Sequence, residues 1–407
     1  MSLDKKSKQK LSKSQFLVGK PIEFDCFDEQ GVLLFRKGLV IDSARTLEHI
    51  LERGLFAQIG QPSQNTSQPA ASESRRLLLG KWSEADGDAD ADPSPFQYFS
   101  GLNRQLKQLY SDICAESGAD GLDFASRVGR IAGQVQSLCE VDSNAAIGLL
   151  HLDQRNRYTV FHPLHRSVVC NLVGKRYGYS EEECKRIICA ALTCDLSTLE
   201  LQEKLNNQVA PLSPEQQASL RNHPGDSVRL LRELGVTDEE WITAVNQHHE
   251  TLCQSGYPGG IHRDEVTVWS RLIKLSDSYT AMITPRRYKQ AITSQHAMRT
   301  LFLARGSQVD EHLTILFVKA LGVFPPGAFV KLANGETAVV VRRGKDSKAP
   351  MVKSVVGPRG APLNRPCLRD TQIKQFEIRG VVERDGVADI DLNQLWDYTR
   401  GSNDERG

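Results

Sequence analysis

The stretch that decides the fold is EEWITAVNQHHETLCQSGYPGG, residues 239–260. Helical spacing runs from Glu239 to His249 and then stops in a loop containing Ser, Gly and Pro. At the break stand His248, His249 and Glu250. Outward from there, His162, Asp195, His223-Pro224 and Asp277 all fall on predicted helices or at helix ends. Imidazole and carboxylate together are the mixture that holds Zn, Mn or Fe. Ligands far apart in sequence are usual when several helices converge on one site. Ordinary surface and core histidines are the competing explanation, and spacing alone does not choose between the two.

The helical pattern extends on both sides. Residues 96–116, 122–139, 143–152, 164–177, 180–194, 214–234, 266–282 and 294–302 carry apolar residues three and four apart, and helical character persists to about Leu321. Upstream, residues 16–60 read as a small α+β unit. It has period-two alternation in Pro21–Phe27, a turn at Glu29-Gln30-Gly31, a second strand at Val32–Phe35 and a helix capped by Ser43. Residues 61–95, rich in Ser, Gln, Asp, Pro and Ala, read as a linker. From Phe324 the pattern turns to β, with runs at 329–332, 337–341 and 351–356. The expected fold class is mainly α, in four parts. Residues 1–60 are a basic tail and small strand-helix unit, 61–95 a flexible linker, 96–323 a helical domain, and 324–407 a small β module with a polar tail that frays.

Composition narrows the function classes. With 51 Lys and Arg against 50 Asp and Glu, the net charge of +1 argues against a nucleic-acid binder driven by counterion release. Hydrophobic residues at 40% and charged residues at 25% fit a globular chain rather than a disordered one. No run approaches the ~18 apolar residues of a membrane helix. The lysines of Met1–Lys13 lead into no apolar signal segment. Nine cysteines without a CxxC pair fit reduced thiols, so the expected location is cytoplasmic.

The ordered motifs resemble the HD-GYP family. Tyr158-Thr159-x-x-His162, followed by Gly174-Lys175-Arg176-Tyr177-Gly178-Tyr179-Ser180, is similar to the family's opening. Cys194-Asp195 stands where the family has His-Asp, and Asn222-His223-Pro224, His248-His249-Glu250 and the intact signature Ser255-Gly256-Tyr257-Pro258-Gly259-Gly260 follow in order. Leu275-Ser276-Asp277 and Pro285-Arg286-Arg287-Tyr288-Lys289 resemble its closing segments, so the match covers residues 155–322. The resemblance implies an HD-type helical bundle that holds two, sometimes three, divalent ions (Fe, Mn or Zn). It also implies hydrolysis of cyclic diguanylate, a bacterial second messenger, to a linear dinucleotide or GMP. Carried over residue by residue, it makes His162, Asp195, His223, His248, His249 and Asp277 metal ligands, with Asp195 bridging and catalytic. Gly256, Tyr257 and Pro258 would form part of the loop beside the substrate. Arg286 and Arg287 are candidate phosphate contacts, because a guanidinium fork matches phosphate oxygens; solvated or structurally paired arginines are the alternative.

Departures from the pattern cluster at the reaction centre. Cys194 replaces the histidine of the namesake pair. A thiolate can ligate Zn or Fe, whereas a buried apolar thiol would only pack. Thr198 stands where the family has a lysine facing the scissile phosphate, Cys253 and Gln254 precede the GYP loop, and Thr280 replaces a common aspartate. Loss of one transition-state charge contact costs on the order of 10²–10³ in rate. The expectation is a phosphohydrolase of cyclic diguanylate signalling with a weakened site and two ions if active. The alternative is a non-catalytic cyclic dinucleotide receptor, or a scaffold for a signalling protein partner.

Overall fold

A computed structural model describes residues 8–10, 26–27, 33–35, 56–58, 93–114, 123–153, 158–208, 210–285, 290–384 and 390–398. The chain divides into two compact units, Met1–Ala71 and Ser72–Gly407. In the first, β1 (Lys8–Lys10), β2 (Cys26–Phe27), β3 (Leu33–Phe35) and β4 (Phe56–Gln58) form an antiparallel sheet in the order β1-β4-β2-β3. β2 and β3 lie within the two expected strand runs, while β1 and β4 carry no comparable alternation. The helix expected after Ser43 and the linker up to residue 92 lie outside the described residues.

The described residues of the second unit open with ten helices. They are α1 (Pro95–Cys114), α2 (Phe124–Leu152), α3 (Tyr158–Tyr177), α4 (Glu181–Thr193), α5 (Leu199–Asn207), α6 (Pro214–Glu233), α7 (Glu239–Gln247), α8 (Val268–Ile283), α9 (Ser294–Ala304) and α10 (Glu311–Leu321), with a 3-10 turn at Leu196–Thr198. Their starts are written in the sequence. Ser180 with Glu183 and Ser213 with Gln216 make reciprocal capping boxes, and Asp238, Thr267, Thr293 and Asp310 accept from first-turn N–H groups. Two expected helices, 122–139 and 143–152, are one helix kinked at Asp142 (φ −152°, ψ 91°). The Asp142 carboxylate accepts from the N–H groups of Asn144 and Ala145, which restarts the helix as an N-cap would.

Helix α3 begins at Tyr158 rather than at 164, and runs through Pro163. It is the central helix, packed by α2, α4, α8 and α10 and buried nearly all round. Its polar residues His162, His165, Arg166 and Asn171 are among the buried ones, so an apolar stripe is blurred there.

Strands β5 (Phe329–Leu332), β6 (Thr337–Arg342), β7 (Met351–Val356), β8 (Pro362–Asp370) and β9 (Ile378–Val381) form an antiparallel sheet ordered β8-β7-β6-β5-β9. Period-two alternation divides its side chains between two cores. Val330, Leu332, Ala338, Val340 and Val352 build a small separate core, while Phe329, Val339, Val341 and Val355 join the helical one. The tail expected to fray does not do so over residues 390–398. A last short helix, α11 (Leu392–Leu395), presents Trp396, which is buried edge-on against Phe96 with ring centroids 5.4 Å apart. Apolar burial of this indole outweighs the polar composition around it.

Two outcomes follow from this packing. A Cβ on Gly148 would sit 2.6 Å from the Trp396 ring, so Gly148→Ala should destabilise the second unit by about 1–3 kcal/mol in urea denaturation. Buried histidines set the acid sensitivity. Burial, followed by the neighbouring His162, pushes His165 down to about 3, and burial pushes His151 down to about 4. As pH falls below 6.5, the unfolded chain takes up protons that the folded chain refuses, so stability is lost with falling pH. At pH 5 the loss should be about 2 kcal/mol for each such histidine, and His165→Leu should shrink the difference between urea midpoints at pH 8 and pH 5.

Candidate metal centre

Asp195 follows the last turn of α4 and enters the 3-10 turn, and two contacts lock its surroundings. Ser197 donates its N–H to Ser227 Oγ (3.2 Å) and its hydroxyl to His223 O (3.1 Å), fixing α6 beside the turn. Trp241 Nε1 donates to Thr193 Oγ1 (2.8 Å), fixing α7 against α4. His223 therefore comes from α6, and His248 and His249 from the end of α7, to one point. Ligand atoms of Asp195, His223, His248 and His249 lie within 4.8 Å of one another, and so do those of His162, Asp195 and Asp277. Asp195 is common to both groups.

The first group fits a divalent ion. His223 Nδ1 donates to Leu220 O (2.7 Å) and His248 Nδ1 to Val245 O (2.6 Å). A carbonyl only accepts, so in the neutral rings the proton is on Nδ1 and the lone pair on Nε2. The two Nε2 atoms are 3.1 Å apart, with Asp195 Oδ1 at 3.4 and 3.8 Å. Burial, followed by the neighbouring His223, pushes His248 down to about 3, which keeps its ring neutral. Burial, followed by His248, likewise holds His249 well below the usual range. Facing lone pairs beside a carboxylate repel one another unless a cation sits between them.

The second group is arranged differently, around a residue that the motif reading did not single out. Arg166 on α3 is fully buried. Its Nε and Nη2 donate to Ala191 O (3.0 and 2.7 Å), and its Nη1 donates to both Asp195 Oδ2 (2.8 Å) and Asp277 Oδ1 (2.7 Å). His162 Nε2 lies 2.9 Å from the same Asp277 oxygen and donates to it, so that nitrogen carries a proton rather than a free lone pair. Burial raises the acidic pKa values, but the Arg166 guanidinium at Asp195, and His162 and Arg166 at Asp277, outweigh it and hold both carboxyls well below the usual range. A divalent ion about 4 Å from a guanidinium is repelled by about 8 kcal/mol at an effective dielectric constant near 20. The one sequence signal for Arg166 was its spacing, one helical turn after His162 and so on the same face.

The remaining predicted residues divide clearly. Cys194 Sγ is buried 3.9 Å from Ala191 O and 4.0 Å from Asp195 Oδ2, outside both groups, and burial raises its thiol well above the usual range. Thr198 turns inward, donating to Asp195 O (3.0 Å), and Thr280 donates to Ser276 O (2.9 Å) on its own helix. Tyr257 stacks on His249 (4.6 Å), Tyr158 stacks on His162 (4.6 Å), and both rings line the pocket that reaches Asp195, His223 and Asp277. Glu250 Oε1 accepts from the N–H groups of Gly259 (2.7 Å) and Gly260 (3.1 Å), which shapes the loop; Pro258 is exposed on it. Arg286 and Arg287 lie outside the described residues.

Residues 147–313 match the family described as HD domain, so this part of the chain is an HD domain. Its ordered motifs and its relatives make it one of the HD-GYP type, with Cys-Asp in place of His-Asp. A cyclic di-GMP phosphodiesterase of Pseudomonas aeruginosa is 25% identical over 211 residues, 52% of this chain and 51% of that one. A cyclic di-GMP phosphodiesterase response regulator of Xanthomonas campestris is 28% identical over 148 residues, 35% of this chain and 38% of that one. The chain thus spans about half, or less, of the length of these curated relatives. Among solved structures, an HDG"Y"P protein from Bdellovibrio bacteriovorus aligns at 14% identity with a TM-score of 0.48, covering 77% of this chain and 98% of that one.

Gly256 tests the loop. A Cβ there would lie 2.5–2.7 Å from the backbone of residues 249–251. Gly256→Ala should push the loop off His249, lower stability by about 1–3 kcal/mol and speed limited proteolysis between residues 251 and 261.

Proposed function

We propose that the HD domain is a metal-dependent phosphohydrolase of cyclic dinucleotides, cyclic diguanylate foremost, with turnover well below that of an intact HD-GYP site. The observation that carries this reading is the convergence of Asp195 and the lone pairs of His223 and His248 on one point beside an open pocket. A divalent ion held there supplies Lewis acidity toward a phosphate and activates water for attack. The chain's own residues supply the rest. Tyr158 and Tyr257 present ring faces at the pocket, and Arg221 sits over Tyr257 at 5.8 Å, placing a cation near it. Flat faces and a cation suit a purine dinucleotide with phosphate charge. Arg286 and Arg287 are proposed as further phosphate contacts. Relatives named as phosphodiesterases of cyclic di-GMP, and one from Vibrio cholerae named as specific for 3'3'-cGAMP, support this substrate class. Among the described residues, no helix is long and apolar enough to cross a membrane.

Low turnover follows from the inward turn of Thr198, which leaves no lysine at that position to offset charge on the scissile phosphate. The same observation favours a second reading, a receptor that binds the dinucleotide without cleaving it. Incubation with Mn(II) or Fe(II) and cyclic diguanylate should release linear dinucleotide or GMP slowly, and His223→Ala should abolish release. Tight binding with undetectable release would transfer the function to the receptor reading.

A further inference from the structure

The Arg166 guanidinium sits where a second ion would have to share carboxylates. One of its nitrogens lies 2.8 Å from Asp195 Oδ2 and 2.7 Å from Asp277 Oδ1, the two acidic groups of the His162, Asp195 and Asp277 cluster. Its other donors are held by Ala191 O, so the fork cannot swing aside without losing two further hydrogen bonds inside the core. An arginine does not surrender its proton to make room for a metal. His162 spends Nε2 on Asp277 rather than offering a lone pair. Cys194, in the place of the motif's imidazole, points its thiol outside both clusters. The same half of the centre has therefore lost a ligand and gained a fixed cation. Charge leads to the same result: with neutral imidazoles, one dication and Arg166 against two carboxylates leave a single positive charge in the core. A second dication would leave three, with no further described carboxylate in either cluster to offset them.

We propose that Arg166 replaces one of the two ions of the HD-GYP pattern, so that this protein holds one divalent ion, on Asp195, His223, His248 and His249. Asp277 and His162 then belong to the arginine's anion cage and not to the metal. This rests on the metal-dependent reading above only in requiring that the histidine-rich group binds metal. A guanidinium neutralises carboxylates as an ion does but offers no open coordination position to water or phosphate. The centre is consequently limited to what one ion can do, which is a second cause of weak hydrolysis beside Thr198.

The full chain, stripped of metal, reloaded with excess Mn(II) and freed of unbound ion, should carry one mole of Mn per mole of protein. Its electron paramagnetic resonance spectrum should be that of an isolated ion, without exchange coupling. Asp277→Asn should leave the content at one, whereas His223→Ala should bring it close to zero. Arg166→Ala combined with Cys194→His should raise the content to two and introduce exchange coupling. Should that variant fail to fold, the wild-type and Asp277→Asn contents still decide. Two coupled ions in the wild type, or a fall in Mn content in Asp277→Asn, would overturn the role given to Arg166 and leave the phosphohydrolase reading standing. Wild type without bound metal would overturn both.

Discussion

The helical body depends on one buried cation. Arg166 reaches from α3 to the last turn of α4 through Ala191 O, to the following turn through Asp195, and to α8 through Asp277. Taking a guanidinium and two carboxylates out of water costs several kcal/mol per ion, and only good geometry with extra hydrogen bonds offsets it. Here each guanidinium nitrogen has an acceptor. The arrangement is accordingly specific: α3, α4 and α8 pack in the one register that closes the cage. The same carboxylate that accepts from Arg166 through Oδ2 faces His223 and His248 through Oδ1, so the packing of the body and the geometry of the candidate site are set together.

The histidine side of the centre is positioned by backbone. His223 and His248 each give their Nδ1 proton to a carbonyl three residues earlier in their own helix, which fixes ring orientation before any ligand arrives. The loop after α7 is fixed the same way, with Glu250 gathering the N–H groups of Gly259 and Gly260 and Gly256 pressed against the backbone of 249–251. Tyr257 is thereby laid on His249 without needing any contact from a substrate. Rigid placement of this kind lowers the reorganisation needed on binding, which is how weak individual groups act together.

Three of the residues that depart from the HD-GYP pattern behave alike, whereas Cys253 and Gln254 are exposed on the loop after α7. Cys194, Thr198 and Thr280 each turn back to backbone oxygens of their own or the preceding helix turn, and none lines the pocket. Their hydrogen-bonding groups are satisfied inside the protein rather than presented to the pocket. Arg166 lies on the same side of Asp195 as Cys194, nearest Oδ2. Asp195 thus has Arg166 and Asp277 on one side and the imidazoles of His223, His248 and His249 on the other.

The sequence by itself determined the class of fold, most helix starts, five of the nine described strands, and the group of side chains with metal-binding chemistry. Those features are local: capping, three-and-four spacing and ordered motifs depend on neighbours in the chain. The register of α3 was less legible, because a helix buried on every side has no polar face to betray its period and Pro163 reads as a boundary. The merged α2 depended on the Asp142 carboxylate restarting the helix, and the ordered tail depended on a hollow over Gly148 into which Trp396 fits. Only the tertiary structure decided that Arg166 lies between Asp195 and Asp277. Their separations in sequence carry no information about an ion pair, and a buried cation is recognised by the desolvated acceptors around it, which come from α4, the turn that follows it and α8.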